Sequence, residues 1–197
     1  GIRYRINPLL LEGQPTLMYG EGGAAKSAFG MYLALMISLP VLDRGFAVEP
    51  GAVLYLDYET DHNDFKRRTT ELAAGLGYDI PNGLYYRRCI HPLASDTSAI
   101  QRIITDKAIE VLVIDSAGLA CGGQPQDESQ VIPYFGALRQ MGITTLTIGH
   151  VAKNAEHKTP FGSVYWTNMP RSVYEVKKVQ NEEEDDLVIG LYHRKVN

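Results

Sequence analysis

A glycine-rich segment that ends in lysine and serine is the clearest candidate for phosphate chemistry in this sequence. It reads Gly20-Glu21-Gly22-Gly23-Ala24-Ala25-Lys26-Ser27 and lies between an apolar strand-like run and an apolar helix-like run. Glycines let backbone N–H groups converge on a phosphate, and the N-terminus of the following helix adds partial positive charge. Lys26 would then reach the terminal phosphates of a nucleotide, and the Ser27 hydroxyl would ligate Mg²⁺. The residues predicted to bind nucleotide are Gly20, Gly22, Gly23, Ala24, Ala25, Lys26 and Ser27.

One position of this loop departs from the usual pattern, because Ala25 stands where a glycine normally precedes the lysine. A methyl group there would crowd the backbone if the loop needs a positive φ. The alternative interpretation is a glycine-rich turn that carries an exposed lysine. The order of strand, loop and helix, together with acidic strands elsewhere, favours nucleotide binding.

A carboxylate follows the buried strand predicted at Glu110–Asp115, which reads EVLVID. Ligands bind at the carboxyl ends of the strands in an open α/β sheet. Asp115 is therefore predicted to hold Mg²⁺, usually through water, together with Ser27. The alternative for Asp115 is an aspartate that only begins a turn after a core strand.

Two further strands end in residues that could take part in hydrolysis. Strand alternation through the run Gly51–Tyr58 and the residue after it puts Asp57 and Glu59 on one face. Glu59 could orient and polarise a water there, and Asp57 could assist structurally or at the metal. Helix capping before Asp61 is the alternative for both. His150 closes the strand Ile143–Gly149 and could contact a γ-phosphate, although it could also simply cap that strand.

These residues need a sheet that brings strand ends to one edge, and the hydrophobic pattern provides it. Continuous apolar strands alternate with helix-period segments, which indicates a mostly parallel sheet flanked by helices. Arg171–Val179 and Leu187–Lys195 form a predicted C-terminal antiparallel hairpin at one sheet edge. The remaining predicted strands are Thr16–Tyr19 and Leu84–Arg88, and the predicted helices are Ser27–Leu39, Asp61–Leu76, Asp96–Ala108 and a segment that ends at Leu138 after the polar loop Gly118–Gln130.

Length and composition exclude several other classes of protein. The chain has 197 residues, 45% of them hydrophobic, and a formal net charge of -4, which suits one globular domain and argues against coating nucleic acid through bulk positive charge. Cys89 and Cys121 are far apart and fit a reducing cytoplasm better than a disulfide framework or zinc site. The sequence shows no signal peptide or membrane span. Because it opens at Gly1 without methionine, we expect a single domain over residues 1–197 cut from a longer protein.

The order of motifs resembles the ATPases of the RecA/DnaB type. After the phosphate-binding loop come LYLDYET, VLVIDSAG and TLTIGHVAKN, followed by FGSVYWTNMPRSVYEV and GLYHRKVN. The sequence is most similar to the RepA-like hexameric replicative helicases of plasmids and phages. The resemblance implies an α/β RecA-like P-loop NTPase core, with ATP and Mg²⁺ as cofactors.

The same resemblance implies roles for particular residues. Glu59 matches the water-activating glutamate, and His150 matches the sensor of the γ-phosphate. The loop 151–161 matches the segment that lines a central pore, where Lys153 and Lys158 would contact single-stranded DNA. On the last strand, Arg194 and Lys195 match basic residues that act on the neighbouring subunit's nucleotide, although strand alternation predicts that they point to opposite faces. An ordinary basic edge strand is the alternative.

The resulting prediction is an ATP-driven motor on single-stranded DNA, a hexameric replicative helicase of a phage or mobile element. Two alternatives stay open. A RecA-like recombinase or recombination mediator would form filaments, and a KaiC-like regulatory ATPase would have a protein partner, which suits the acidic balance of the chain.

Overall fold

The computed structural model describes residues 1–40, 45–151, 159–179 and 187–196. Its strands are β1 (Tyr4–Asn7), β2 (Leu10–Leu11), β3 (Pro15–Glu21), β4 (Ala47–Val48), β5 (Ala52–Asp57), β6 (Leu84–Arg88), β7 (Ile109–Asp115), β8 (Thr144–Val151), β9 (Ser172–Val179) and β10 (Val188–Val196). Its helices are α1 (Lys26–Ser38), α2 (His62–Gly75), α3 (Leu93–Lys107), α4 (Ala117–Cys121), α5 (Glu128–Met141) and α6 (Tyr165–Asn168).

A seven-stranded sheet forms the centre of the molecule, in the order β10-β9-β3-β8-β7-β5-β6. Its neighbouring strands are parallel except β9 and β10, which form the antiparallel hairpin at one edge. Apolar side chains of α1 and α2 cover one face, and those of α3, α4 and α5 cover the other. Strands that are covered on both faces need continuous apolar runs, which explains why the apolar runs of the sequence predicted these strands.

The predicted strands of the main sheet agree closely with these bounds, whereas the helices differ in several places and α6 was not predicted. Helix α3 begins at Leu93, earlier than expected, behind Pro92. The segment predicted as a polar loop contains the short helix α4, whose five residues are too few to show a helical period. Helix α5 continues to Met141 and carries Pro133 in its interior, beyond the first turn where proline is best tolerated.

A second, three-stranded sheet in the order β2-β1-β4 was not predicted, because its strands are too short for a pattern. Arg5 is its buried centre, and the guanidinium donates to the carbonyl oxygens of Glu49 at 3.2 Å and Pro50 at 3.0 Å. It also pairs with Glu12 at 3.2 Å and with Glu110 at 2.6 Å. Since Glu110 lies in β7, Arg5 ties this small sheet to the strand that ends in the acidic site.

Two alanines at helix ends adopt the left-handed conformation that favours glycine. Ala25 is the N-cap of α1, with φ 59° and ψ 26°. Ala108 is the C-cap of α3, with φ 50° and ψ 46°. The loop before Lys26 therefore does need a positive φ, and Ala25 supplies it at a steric cost.

None of the helices in the described ranges is long and apolar enough to cross a lipid bilayer.

We expect Ala25→Gly to raise the free energy of unfolding by about 1 kcal/mol, because it relieves the Cβ clash of the left-handed region. Nucleotide affinity should increase as well if the methyl group crowds the bound phosphates. Urea unfolding and nucleotide titration measure the two effects. Ala108→Gly is the matched control, since it should stabilise similarly without changing nucleotide affinity. A destabilisation by Ala25→Gly, as for glycine in a helix interior, would contradict the strained geometry.

Removing the Arg5 side chain should lower the free energy of unfolding by about 2–3 kcal/mol, because it leaves two carboxylates without their buried cation. Arg3 provides the control, since it pairs with the same Glu12 at 2.9 Å but is 78% exposed. Arg3→Ala should change stability by less than about 0.5 kcal/mol. If urea unfolding gave equal losses of the free energy of unfolding for Arg5→Ala and Arg3→Ala, the burial of Arg5 would contribute nothing to stability.

Candidate nucleotide site

Four neighbouring strands, β3, β8, β7 and β5, bring the predicted site residues to one edge of the sheet. Gly20 pairs with His150 in the register of β3 and β8, and Asp57 pairs with Asp115 in the register of β5 and β7. Because these strands are parallel, their carboxyl ends coincide. Lys26, at the start of α1, follows from the end of β3. The sheet thus gathers residues that are more than a hundred positions apart in the chain.

The glycine-rich loop combines tight packing with a buried lysine. A Cβ on Gly20 would lie 2.3 Å from the carbonyl oxygen of Val176, so glycine is required there by the neighbouring strand β9 as much as by a phosphate. Gly23 has φ +81°, which only glycine adopts easily. Lys26 is 3% exposed, and its Nζ donates to the carbonyl oxygen of Glu21.

Burial has an electrostatic consequence for Lys26. Desolvation lowers the pKa of the ammonium group, and the negative charges of Asp115 and Glu21 oppose that effect in part. A buried cation of this kind gains more from an incoming phosphate than an exposed lysine would. Lys26 is therefore well placed to attract an anion into the loop.

Asp115 is a deeply buried acidic group of the site, at 3% exposure. The Tyr55 hydroxyl donates to Oδ2 at 2.8 Å, and Nε2 of His150 lies 3.4 Å from Oδ1. Desolvation by itself would raise the pKa of Asp115, but polar contacts with His150, Ser27 and Tyr55 outweigh it and hold the pKa below its ordinary value. The carboxyl group is thus kept ionised despite its burial.

Asp115 and Ser27 have the donor chemistry that Mg²⁺ requires. Among the described residues, Oδ1 of Asp115 is buried without a hydrogen-bond partner, so one oxygen of an ionised carboxylate is available. Ser27 is close enough to act on the charge of Asp115. Carboxylate and hydroxyl oxygens are hard ligands of the kind that Mg²⁺ takes beside nucleotide phosphates. The residues present therefore fit this ion.

The structure separates the two acidic residues that follow β5. Asp57 is buried, and its Oδ1 accepts from the N–H groups of Glu59 at 2.9 Å and Thr60 at 3.0 Å. Its Oδ2 accepts from the Thr60 hydroxyl at 2.8 Å and the Tyr86 hydroxyl at 3.0 Å. Both oxygens of the Asp57 carboxylate are therefore engaged in stabilising the turn after β5, and Glu59 is the acidic residue of this turn that is exposed.

Glu59 is exposed at the same edge as Asp115. The Ser116 hydroxyl, directly after Asp115, donates to Oε1 of Glu59. Asp61, not Glu59, caps helix α2, since it accepts from the N–H groups of Asn63 at 2.8 Å and Asp64 at 3.0 Å. The capping alternative for Glu59 therefore has no support in the geometry, and Ser116 was not found from the sequence.

His150 lies at the open side of this group. Its side chain is 37% exposed, and its imidazole sits within 4.8 Å of ligand atoms of both Glu59 and Asp115. The next residue, Val151, ends strand β8 and leads into the segment 152–158. His150 therefore contacts Asp115 and lies near Glu59, which is more than capping a strand requires.

The two basic residues of the last strand share one face, which corrects the expectation that they point apart. A β-bulge at Arg194 separates His193, paired with Tyr174, from Lys195, paired with Val173. The guanidinium of Arg194 pairs with Glu175 at 2.6 Å. Glu175 and Val173 are two positions apart on β9, so their side chains point to the same face of the sheet. Arg194 pairs with Glu175 and Lys195 lies opposite Val173, so both basic side chains lie on that face.

Arg194 and Lys195 nevertheless have different surroundings. Nζ of Lys195 donates to the carbonyl oxygens of Asn168 at 2.8 Å and Pro170 at 2.9 Å, which engages it within its own chain. Burial and the nearby charge of Arg171 lower the pKa of Lys195. Arg194 is 45% exposed and is the freer of the two to contact another molecule.

The predicted DNA contacts Lys153 and Lys158 lie outside the described residues. Of the aromatic residues that follow them, Trp166 is fully buried and donates from Nε1 to the carbonyl oxygen of Pro125 at 2.6 Å. The ring of Phe161 packs 5.0 Å from that of Trp166. Trp166 therefore belongs to the core, and Phe161 is a partly buried residue packed against it.

Comparisons with known proteins agree with this geometry. The AAA domain family matches residues 2–156. A KaiC-like protein from the hyperthermophilic archaeon Pyrococcus horikoshii has a similar structure, with a TM-score of 0.72, 17% identity and coverage of 100% of this chain and 89% of that chain. No curated protein sequence matches. The predicted RecA-like α/β fold is thus confirmed, and the chain belongs to the AAA domain family of P-loop ATPases.

Proposed function

We propose that this domain hydrolyses ATP as a motor on single-stranded DNA, as part of a hexameric replicative helicase of a phage or mobile element. The observation that carries the proposal is the convergence of Lys26, Asp115, Glu59 and His150 at one sheet edge. An anion-attracting lysine, a metal-binding carboxylate and an exposed second carboxylate are the groups that nucleotide hydrolysis needs.

Each residue has a separate task in this proposal. Lys26 exchanges the Glu21 carbonyl for the terminal phosphates of ATP. Ser27 and Asp115 hold Mg²⁺, which neutralises phosphate charge when bound. Glu59 accepts a proton from the attacking water, and the Ser116 hydroxyl keeps the Glu59 carboxylate oriented toward the site.

His150 supplies the connection to movement. Its contact with Asp115 at 3.4 Å supports a role beside the phosphates, and in the sequence β8 leads directly into the segment that contains Lys153 and Lys158. Loss of the γ-phosphate would change the position of His150 and thereby the position of that segment. In a ring, a few lysines from each subunit would form a positive funnel around a DNA strand.

The neighbouring subunit would complete the site through the hairpin. Arg194 is exposed, carries a positive charge and is oriented by its pairing with Glu175. In an assembled ring it would stabilise negative charge on the adjacent subunit's nucleotide. Lys195 contributes to this contact by fixing the strand that bears Arg194, through its bonds to the carbonyl groups of Asn168 and Pro170.

A regulatory ATPase with a protein partner is the second candidate. Two observations favour it, namely the structural similarity to a KaiC-like protein and the net charge of -4. In that case, hydrolysis would proceed through the same residues without dependence on DNA. A recombinase or recombination mediator would use the same site in a filament.

Glu59→Gln should reduce ATP hydrolysis at least 100-fold, because the amide cannot accept the proton of the attacking water. Binding of ATP should persist, since Glu59 does not hold the phosphates. Lys26→Ala should instead lose nucleotide binding. Steady-state phosphate release and titration with a fluorescent ATP analogue separate the two effects, and Glu71→Gln on the exposed face of α2 serves as the control. Hydrolysis at the unaltered rate in Glu59→Gln would remove Glu59 from this role.

Single-stranded DNA should stimulate ATP hydrolysis by the wild-type protein, and the double variant Lys153→Ala/Lys158→Ala should lose the stimulation while keeping the basal rate. The control is Lys66→Ala/Lys107→Ala, which removes two lysines from helices α2 and α3. Phosphate release is measured with and without an oligonucleotide, at several salt concentrations. A wild-type rate that does not respond to DNA would favour the regulatory ATPase.

A further inference from the structure

Three potential metal ligands meet at the open edge of the sheet, independently of any nucleotide. One ligand atom each from Glu59, Asp115 and His150 lies within 4.8 Å of the other two. The three residues follow or end β5, β7 and β8, which are adjacent strands. Among the described residues, no other cluster of histidine, cysteine and acidic side chains has this arrangement.

The two carboxylates are oriented in the manner of metal ligands. Tyr55 donates to Oδ2 of Asp115 at 2.8 Å, and Oδ1 is left without a hydrogen-bond partner among the residues described. Ser116 donates to Oε1 of Glu59, which leaves the other oxygen of that carboxylate for a ligand. Hydroxyl groups that bond the outer oxygen of a ligating carboxylate fix its direction and tune the metal.

The distance between the ligand atoms of His150 and Asp115 also suits coordination of one tetrahedral metal ion. Nε2 of His150 lies 3.4 Å from Oδ1 of Asp115. Two ligands at about 2.0–2.1 Å from a tetrahedral ion are about 3.3 Å apart. That distance is long for a strong hydrogen bond, yet it suits a shared metal. A ligand atom of Glu59 lies within 4.8 Å of both, so only a small side-chain adjustment is needed to complete the site.

We propose that, without nucleotide, Glu59, Asp115 and His150 bind a divalent transition metal of the zinc type. An imidazole nitrogen favours such an ion over Mg²⁺ or Ca²⁺, which prefer oxygen ligands throughout. The exposed side of Glu59 and His150 leaves a fourth position for water. This site deepens the proposed function, because the metal would occupy the residues assigned to water activation and phosphate sensing and would compete with ATP and Mg²⁺.

The test is metal binding by the nucleotide-free protein. Titration calorimetry with Zn²⁺ should give one site, and Co²⁺ should produce the intense visible absorption of a tetrahedral complex. Each of His150→Ala and Glu59→Ala should weaken binding at least 10-fold and abolish the cobalt spectrum. His91→Ala is the control, since it removes a described histidine that lies outside the cluster. Unchanged affinity in His150→Ala, or loss of the site in His91→Ala, would overturn the proposal.

One further variant distinguishes this proposal from the proposed function. Lys26→Ala should bind Zn²⁺ at least as tightly as the wild type, because it removes a nearby positive charge, although it no longer binds ATP. Zn²⁺ should inhibit hydrolysis by the wild type in competition with ATP and Mg²⁺. A protein that hydrolyses ATP but binds no Zn²⁺ refutes the metal site alone. A protein that binds Zn²⁺ but never hydrolyses ATP refutes the proposed function alone.

Discussion

The buried negative charge of Asp115 is the constraint on which the site depends. A carboxylate at 3% exposure loses most of its hydration, and it remains ionised because Tyr55, His150 and Ser27 contact it. These partners come from β5, β8 and α1, so the parallel sheet must hold the ends of β5, β7 and β8 in register. Stabilising the negative charge of Asp115 therefore requires this arrangement of the strands and the helix around it.

The opposite charge of Lys26 belongs to the same balance. Its ammonium group is as buried as Asp115, and in the absence of phosphate it is satisfied by a backbone carbonyl of its own loop. A buried anion and a buried cation at the same sheet edge suit a ligand that carries both signs, such as a metal–phosphate complex. The left-handed Ala25 places Lys26 at the start of α1 despite the steric cost.

Sequence reasoning predicted the sheet correctly, because fully buried parallel strands give continuous apolar runs. The candidate site residues were proposed from the polar side chains at the ends of those strands, which the structure brings to one edge. The sequence favoured Glu59 over Asp57 for water activation, but it could not show the hydrogen bonds from Thr60 and Tyr86 that commit Asp57 to the turn. A β-bulge at Arg194 breaks the alternation from which opposite faces were expected. Strands of two residues, as in the small sheet around Arg5, carry no period to read.

Exposure divides the site into two halves. Lys26 and Asp115 are buried, whereas Glu59 and His150 face solvent. In the proposed function the buried half would bind phosphate and metal within a single chain, because its geometry is fixed by the core. The exposed half has little to exclude bulk water or to hold a nucleophile in place, and hydrolysis benefits from both. A second subunit that covers this edge with its hairpin would supply the missing enclosure and bring Arg194 to the phosphates, so assembly and catalysis would be coupled through the same surface.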